Sequence, residues 1–335
     1  MNRRWLSVCS GLLWLRSAVA GGPGYELGPD PAVDALLGEA QRLELRYEDT
    51  LVDVGRQVKV GYEELRLANP GVDPWLPGAG TELVLPTAYL LPSAPREGIV
   101  INIAEYRVYF FYEEDGRPRV ATLPASIGRM DWETPLGRTR VVARARNPAW
   151  YPPESVREEH AAEGRSLPRV VPPGPENPLG GYAIRLGLPG YLIHGTNRPA
   201  GVGMRVTHGC VRLFPEDIEW LFPRAPVGTP VRIVNQPVKF GWQGDELFME
   251  VHPALAEPAP PETVAAGKAD AAVPLRPVDD SLTRVTEALI RVTGEREARI
   301  DWEAVDRVFA EKSGIPVRVG VRQPPAEPLE ALAER

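Results

Sequence analysis

Two short runs of the sequence contain the residue types that acyl transfer through a cysteine requires: Ile193-His194-Gly195-Thr196-Asn197 and Thr207-His208-Gly209-Cys210-Val211-Arg212. This chemistry needs a thiolate, a base, donors for the developing oxyanion and a group that positions the substrate. If the side chains of Cys210 and His194 meet, a thiolate–imidazolium pair would lower the pKa of the thiol and give a nucleophile at neutral pH. We therefore predict Cys210 as nucleophile and His194 as its base.

Residues next to Cys210 can meet the other two requirements. Gly209 lets the backbone turn tightly and approach a substrate closely. The backbone N–H groups of Gly209 and Cys210 are candidate oxyanion donors. Arg212 can bind a substrate carboxylate through two parallel hydrogen bonds. His194 follows the strand-like run 191–193, so we expect a rigid scaffold to hold its ring.

Each of these residues also has a simpler explanation. His194 could be a hydrogen-bonded histidine of the core, and His208 could serve only to hold the loop. Arg212 could pair with Glu216 or Asp217 at the start of the next helix. Both runs occur in one chain, and Cys210 would be its one cysteine after removal of a signal peptide that contains Cys9. This combination favours the catalytic interpretation over these alternatives.

Two other chemistries use the same residue types. His194, His208 and Cys210 match the ligand types of some catalytic zinc sites. No further ligand cluster supports zinc, because His160 and His252 lie in loop or linker sequence. A thiol oxidoreductase would need a second mature cysteine to resolve a disulfide. We therefore predict an enzyme that uses neither a metal nor another cofactor.

The N-terminus has the three parts of a secretory signal peptide, and we predict that residues 1–20 are removed. Arg3 and Arg4 precede an apolar run, and Ala18-Val19-Ala20 forms a small-x-small cleavage site. The apolar run is too short to span a bilayer, so we expect no transmembrane segment after cleavage. Cleavage leaves Cys210 as the one remaining cysteine, and a lone thiol in an exported chain favours a working thiol.

Charge and composition exclude some classes of protein. The formal net charge is −7, and cleavage makes it more negative because the signal segment contains arginines and no acidic residue. An acidic product is a poor candidate for binding nucleic acid or anionic membrane surfaces. The 37 prolines and 32 glycines argue against an all-helical or doubly wound fold and favour short strands with many turns.

The two runs lie in a strand-rich region that we predict to be the catalytic domain, residues 97–235. Many short strands at regular turn spacing indicate a mainly β fold, a sandwich or barrel. A helix is predicted over Pro215–Phe222 from its early proline and acidic first turns. The proline-rich, charged insertion 147–180 is predicted to be a lid with little structure of its own.

Smaller parts flank this domain. Residues 43–92 predict a β-α-α-β module, with strands at Leu45–Tyr47 and Thr81–Pro86 around two short helices. Residues 252–274 are predicted to form an Ala/Pro-rich linker. Residues 275–323 predict a small C-terminal helical appendage, from apolar faces around Val285 and Val305.

The two runs resemble the signature of the L,D-transpeptidases (the YkuD-type catalytic domain), a His-Gly-Thr element followed by Ser/Thr-His-Gly-Cys and a nearby Arg. Thr134-Pro135-Leu136-Gly137 resembles the family's Thr-Pro-x-Gly turn. The resemblance implies a β-sandwich-like fold in which Cys210 is the nucleophile, His194 the base and His208 a second active-site histidine. It assigns oxyanion or substrate binding to Gly195, Thr196, Thr207, Gly209 and Arg212.

The N-terminal module is similar to a LysM module, which grips glycans that contain N-acetylglucosamine. The similarity rests on Asp49-Thr50-Leu51, Asn69-Pro70 and the Pro77-Gly78 turn. It implies glycan binding, and the alternative is a structural spacer of the same fold. Together with the C-terminal appendage, the module resembles the Gram-negative periplasmic members of the family.

The family resemblance also implies a reaction on peptidoglycan stem peptides. Cys210 would attack the carbonyl before the terminal D-Ala of a tetrapeptide, and an amine would then resolve the acyl-enzyme. A stem diamino acid would give a 3→3 cross-link, a lysine of an outer-membrane lipoprotein would give a protein tether, and water would make the enzyme an L,D-carboxypeptidase. The alternative is a non-catalytic peptidoglycan-binding protein.

Overall fold

The structure is a computed structural model that describes residues 24–30, 32–129, 132–255, 257–258, 275–276, 282–294 and 296–323. The predicted signal peptide, most of the predicted linker and the segment from Pro324 onward lie outside these residues. Among the residues that are described, no helix is long and apolar enough to cross a membrane.

The N-terminal module contains the predicted β-α-α-β order. Leu51, Val54 and Leu65 are buried with Leu83 and Leu85, so the two helices pack on the β3–β4 pair. Thr50 caps the first helix, because its hydroxyl accepts a hydrogen bond from the Asp53 N–H. The elements are β1 Gly24–Glu26, β2 Leu36–Gly38, β3 Gln41–Glu44, α1 Leu51–Val58, α2 Tyr62–Ala68, β4 Glu82–Leu85 and β5 Ala88–Leu90.

The first strand of this module differs from the prediction, because β3 ends before Leu45. The Asp49 carboxylate accepts a hydrogen bond from the Arg46 backbone N–H at 2.7 Å. The Arg46 guanidinium also donates to Asp49, at 2.9 Å. This side-chain-to-backbone contact turns the chain out of the strand at the residues predicted to form it.

The central domain is mainly β, as predicted, and eight of its strands pair in a closed circuit, in the order β6-β7-β8-β13-β11-β10-β9-β14. The first part of β8 pairs with β7, and its last part pairs with β13. In the same way β9 pairs first with β14 and then with β10. Each of these two long strands therefore belongs to two sheets, one that contains β6, β7 and β14 and another that contains β10, β11 and β13. The elements are β6 Gly98–Asn102, β7 Arg107–Glu114, β8 Arg117–Gly128, β9 Gly137–Arg146, α3 Glu154–Ala162, β10 Tyr182–Leu186, β11 Leu192–His194, β12 Arg205–Thr207, β13 Val211–Leu213, α4 Pro215–Arg224 and β14 Pro230–Val234.

Helix α4 covers one side of the core between these sheets. Ile218, Leu221 and Phe222 face the core and are buried there with strand residues such as Ile184 and Ile193. The helix begins at Pro215, as predicted, and carries acidic residues in its first turn. The polypeptide that follows the second catalytic run is therefore anchored directly to the hydrophobic core.

The insertion 147–180 has more structure than its composition suggests. It contains the helix α3, whose Val156 is buried. Asn177 is fully buried, and its side-chain amide donates to the Pro148 carbonyl at 2.8 Å while its oxygen accepts from the Leu179 N–H at 2.9 Å. The prediction of a lid with little structure of its own is therefore wrong.

The C-terminal part contains the two predicted helices, but they pack on a four-stranded sheet that the sequence analysis missed. Val285, Leu289, Val305 and Val308 are buried against this sheet, whose order is β15-β16-β20-β19. Two of its strands precede the predicted linker. The elements are β15 Val238–Gln243, β16 Glu246–Val251, β17 Glu257–Pro258, β18 Leu275–Arg276, α5 Leu282–Thr293, β19 Ala298–Ile300, α6 Trp302–Glu311 and β20 Val317–Arg322.

Buried ion pairs join the flanking parts to the central domain. Arg107 of β7 is fully buried and binds the Glu64 carboxylate of α2 at 2.6 Å. Lys239 of β15 places its ammonium 2.7 Å from both Glu105 and Glu250. Glu105, Glu250 and His252 lie close enough together to share a cation. The Lys239 ammonium binds the two carboxylates of this group.

Replacing Arg107 by Met should lower the free energy of unfolding by about 3–5 kcal/mol, because Glu64 would keep a buried carboxylate without its counter-charge. Chemical denaturation measures this as a lower midpoint at unchanged slope. The matched control is Arg42→Met, which breaks the exposed Arg42–Glu82 pair and should cost no more than about 1 kcal/mol. Equal losses of unfolding free energy in both variants would show that the buried pair contributes no more to stability than the exposed pair does.

Candidate active site

One face of the sheet formed by β9, β10, β11 and β13 is the floor of a cleft. His194 lies opposite Ala183 on one side and Arg212 on the other. Side chains alternate between the faces of a strand, so His194 and Arg212 point to the cleft while Ile193 and Val211 point to the core. Three alanines, Ala143, Ala145 and Ala183, leave the space above the floor open.

His194 is held by the carbonyl of the residue that follows it. The ring Nδ1 lies 2.6 Å from the Gly195 carbonyl oxygen. A carbonyl only accepts, so Nδ1 carries the proton and Nε2 has the free lone pair of the neutral ring. Burial and the positive charge of Arg212 lower the pKa of His194 to about 3, although the hydrogen bond to the Gly195 carbonyl acts in the opposite direction. The imidazole is therefore neutral at physiological pH.

Cys210 is half-buried in the cleft, just before β13. Its thiol donates to the Gly190 carbonyl at 3.6 Å. Burial raises the pKa of the Cys210 thiol, although a backbone hydrogen bond from Leu192 and the charge of Arg212 favour the thiolate. With His194 neutral as well, the expected thiolate–imidazolium pair is not the resting state of the site. The resting site is a neutral thiol and a neutral imidazole that line the same cleft.

The loop that carries Cys210 is shaped by Gly209 and held by two threonines. Gly209 has φ +88°, and a Cβ there would lie 2.7 Å from the Tyr191 ring. The buried Thr134 hydroxyl donates to the Gly209 carbonyl at 2.9 Å and accepts from the Gly128 N–H at 3.0 Å. The Thr207 hydroxyl donates to the Cys210 carbonyl at 2.6 Å. The loop is therefore tied to the Thr-Pro-x-Gly turn.

Arg212 projects from the cleft floor beside His194. Its buried Nε has no hydrogen-bond partner among the described residues. Burial and the nearby charge of Arg198 lower the pKa of the Arg212 guanidinium, while Cys210 partly offsets them. The predicted site residue Thr196 accepts from the Arg198 N–H at 2.9 Å and so shapes the turn after Gly195.

The alternative considered for Arg212, a pairing with Glu216 or Asp217 of the next helix, does not form. Glu216 and Asp217 instead bind Lys59 of the N-terminal module, at 3.1 Å and 2.7 Å, and Glu216 also binds Arg56. The acidic first turn of α4 is thus neutralised from outside the cleft. Arg212 keeps its charge available to the cleft.

His208 lines the same cleft but has partners on the insertion. Its Nε2 lies 2.8 Å from the Glu159 carboxylate of α3, and Glu159 also binds Arg129. The ring of His208 packs edge-on against Trp132, with 5.2 Å between ring centres. The structure therefore brings all three predicted catalytic side chains, Cys210, His194 and His208, into one cleft.

The cleft is large and rich in arginine. Its volume is about 940 Å³. Six arginines line it against three glutamates, although the whole chain is acidic with a net charge of −7. These arginines are Arg129, Arg144, Arg165, Arg185, Arg198 and Arg212, and aromatic side chains of Trp132, Trp150 and Tyr151 line the cleft as well.

Known proteins are similar to this chain over the region that contains the cleft. Residues 96–233 match the family described as the L,D-transpeptidase catalytic domain (YkuD). "Probable L,D-transpeptidase ErfK/SrfK" of Salmonella typhimurium is 41% identical over 266 residues, which are 79% of this chain and 80% of that protein. The chain belongs to the L,D-transpeptidase family. "Probable L,D-transpeptidase YcfS" of Escherichia coli is 39% identical over 86% of both chains, and the Escherichia coli ErfK/SrfK is 36% identical over 96% of this chain and 99% of that protein.

Several residues that shape the site of this L,D-transpeptidase family member were not predicted from the sequence. Thr134 was noted only as part of a turn, and its buried hydroxyl holds the Gly209 carbonyl. The Gly195 carbonyl, rather than a side chain, orients His194. Glu159 carries no local signal, since it is one of several glutamates in a charged insertion. The Thr-Pro-x-Gly pattern was the one signal that could have revealed Thr134.

Alkylation of Cys210 in this family member should be slow near neutral pH. Because burial raises the pKa of the thiol, the iodoacetamide rate should rise with pH through a midpoint above the ordinary thiol value of about 8.5. Mass spectrometry after timed quenching measures the rate, with free N-acetylcysteine as reference. Arg212→Met should move the midpoint higher still. Fast alkylation that does not change between pH 6 and 8 would instead demonstrate a preformed thiolate.

Proposed function

We propose that this chain is a periplasmic peptidoglycan L,D-transpeptidase that works through a cysteine acyl-enzyme. The observation that carries the proposal is the shared cleft face of Cys210, His194 and Arg212, with His194 held in one tautomer by the Gly195 carbonyl. The proposed location rests on the predicted signal peptide and on the Gram-negative origin of the similar proteins.

In the first half-reaction, the free Nε2 of His194 takes the proton of the Cys210 thiol as the sulfur attacks. The attacked carbonyl joins the third residue of a stem tetrapeptide to its terminal D-Ala. The tetrahedral intermediate collapses with cleavage of the C–N bond, and His194 returns the proton to the leaving D-Ala amine. The neutral resting site suits this sequence, because the neutral imidazole is the form of His194 that has a lone pair to accept the proton.

The oxyanion of the intermediate needs donors fixed before the reaction. The backbone N–H groups of Gly209 and Cys210 are the proposed donors. Their loop is held through the Thr134 and Thr207 hydrogen bonds to the Gly209 and Cys210 carbonyls. Such fixed peptide groups stabilise developing charge without reorganising during the reaction.

The charge of the cleft supports a stem peptide as substrate. A stem tetrapeptide carries several carboxylates, including the one of its terminal D-Ala. Arg212, whose buried Nε lacks a partner among the described residues, is the proposed ligand for a carboxylate next to the attacked carbonyl. Arg185 and Arg198 add positive charge along the same floor.

In the second half-reaction of the proposed function, an amine attacks the acyl-enzyme and releases the enzyme. The side chain of a diamino acid in a second stem would give a 3→3 cross-link, and a lysine of an outer-membrane lipoprotein would give a tether. Hydrolysis would make the same site an L,D-carboxypeptidase. The open cleft of about 940 Å³ has room for a donor peptide and an acceptor.

The N-terminal module is proposed to contact the glycan. Tyr47, Trp75 and Leu76 are exposed on it, with Trp75 56% and Leu76 83% exposed. Trp75 lies 6.4 Å from Tyr62, ring centre to ring centre, and the Asp73 carboxylate fixes the backbone N–H groups of Trp75 and Leu76. A rigid exposed aromatic face of this kind suits stacking against sugar rings.

To test this proposal, a protein of residues 21–335 is incubated with disaccharide-tetrapeptides from peptidoglycan, and the products are followed by mass spectrometry. We expect release of D-Ala together with a cross-linked dimer, and neither product with Cys210→Ala. Tripeptide without dimer would indicate hydrolysis or a missing protein acceptor, and a lipoprotein lysine peptide would be added next. Absence of D-Ala release, with retained binding to peptidoglycan sacculi, would contradict the enzyme and favour a binding protein.

A further inference from the structure

The helix of the insertion is joined to the active site through one carboxylate. Glu159 of α3 lies 2.8 Å from His208 Nε2 through one oxygen, and its other oxygen binds Arg129, which follows β8. His208 belongs to the Thr-His-Gly-Cys run, 49 residues further along the chain. The contact therefore links two segments that are distant in sequence and adjacent in the cleft.

This contact fixes the tautomer of His208. The hydrogen bond from Arg129 lowers the pKa of Glu159 against the effect of burial, so the carboxylate is ionised. An ionised carboxylate only accepts hydrogen bonds, so His208 Nε2 must carry a proton. In the neutral ring the lone pair is then on Nδ1. The Trp132 ring packed against His208 restricts the orientation of the imidazole further.

Two of the histidines that line the cleft, His194 and His208, therefore differ in which ring nitrogen donates and in their exposure. His194 donates from Nδ1 to a carbonyl, is 5% exposed, and lies on the cleft floor. His208 donates from Nε2 to Glu159, and its side chain is 28% exposed. The first half-reaction needs a proton acceptor for the thiol, and the second needs one for an amine that arrives from solvent. The more exposed histidine suits the second task.

We propose that Glu159 is a positioning residue for the acceptor half-reaction and that His208 Nδ1 is the base for the incoming amine. This inference rests on the proposed function. The neutral amine nitrogen bonds to the thioester carbonyl carbon, and His208 Nδ1 takes one N–H proton. The C–S bond breaks, its electron pair stays on Cys210 Sγ, and the proton held by His208 returns through solvent to that thiolate. The product is an amide, and the thiol is regenerated.

The experiment compares the two half-reactions in Glu159→Ala. The first is the single-turnover rate of D-Ala release from the disaccharide-tetrapeptide, and the second is the ratio of cross-linked dimer to tripeptide. A general base contributes roughly a hundredfold or more, and loss of its orienting partner should forfeit about tenfold of that. We expect the ratio to fall about tenfold while D-Ala release changes less than about twofold. Glu159→Gln, whose amide oxygen can still accept from His208, should recover part of the ratio.

Three further variants separate positioning from simple attachment of the helix. Glu158→Gln alters an exposed neighbour on the same helix and should leave both measurements unchanged. Arg129→Met removes the other partner of Glu159 and should change the ratio less than Glu159→Ala does. In a His208→Gln background, Glu159→Ala should cause no further fall in the ratio, because coupled residues do not act additively.

Some outcomes would overturn the inference. An unchanged ratio in Glu159→Ala would show that His208 needs no carboxylate for amine transfer. A parallel fall of D-Ala release and of the ratio, or an equal effect of Arg129→Met, would show that Glu159 only fastens the helix. Failure of the wild-type protein to release D-Ala would instead contradict the proposed function itself, so the two failures are distinguishable.

Discussion

The alternation of side chains along β11 and β13 is the constraint on which the site depends. These two short strands lie side by side in parallel, with His194 opposite Arg212 and Ile193 opposite Val211. The same pairing places two apolar residues in the core and two polar ones in the cleft. A slip of one residue would exchange the faces, burying a guanidinium in the core and removing the imidazole from the thiol. Core packing and active-site geometry are therefore specified together.

Burial explains why the site rests in an uncharged form. His194 is held with its pKa at about 3, and the pKa of the Cys210 thiol is raised, both chiefly by burial. A neutral thiol is a poor nucleophile and resists oxidation and stray alkylation. Arg212 favours the thiolate once the proton has left, so its charge assists the attack rather than the resting state.

The residues of the candidate site could be proposed from sequence because they lie close together along the chain. Cys210 and His194 lie in two short runs, and the helix at Pro215 and the β character of the domain follow from turn and strand patterns. Contacts between distant segments could not be predicted in this way. Glu159 reaches His208 across 49 residues. The C-terminal sheet was missed because β20 completes strands that lie before the linker. The strand expected at Leu45 was displaced by the local turn that Asp49 makes.

Trapping the acyl-enzyme is the most direct test of the account. The protein would be mixed with a tetrapeptide donor without an added acceptor, quenched in acid during turnover, and digested for mass spectrometry. We expect the peptide that contains Cys210 to gain the mass of the donor minus D-Ala. The amount of this modified peptide should rise in parallel with the first D-Ala released. Release of D-Ala with no protein-bound acyl group, or an acyl group on another residue, would contradict the account.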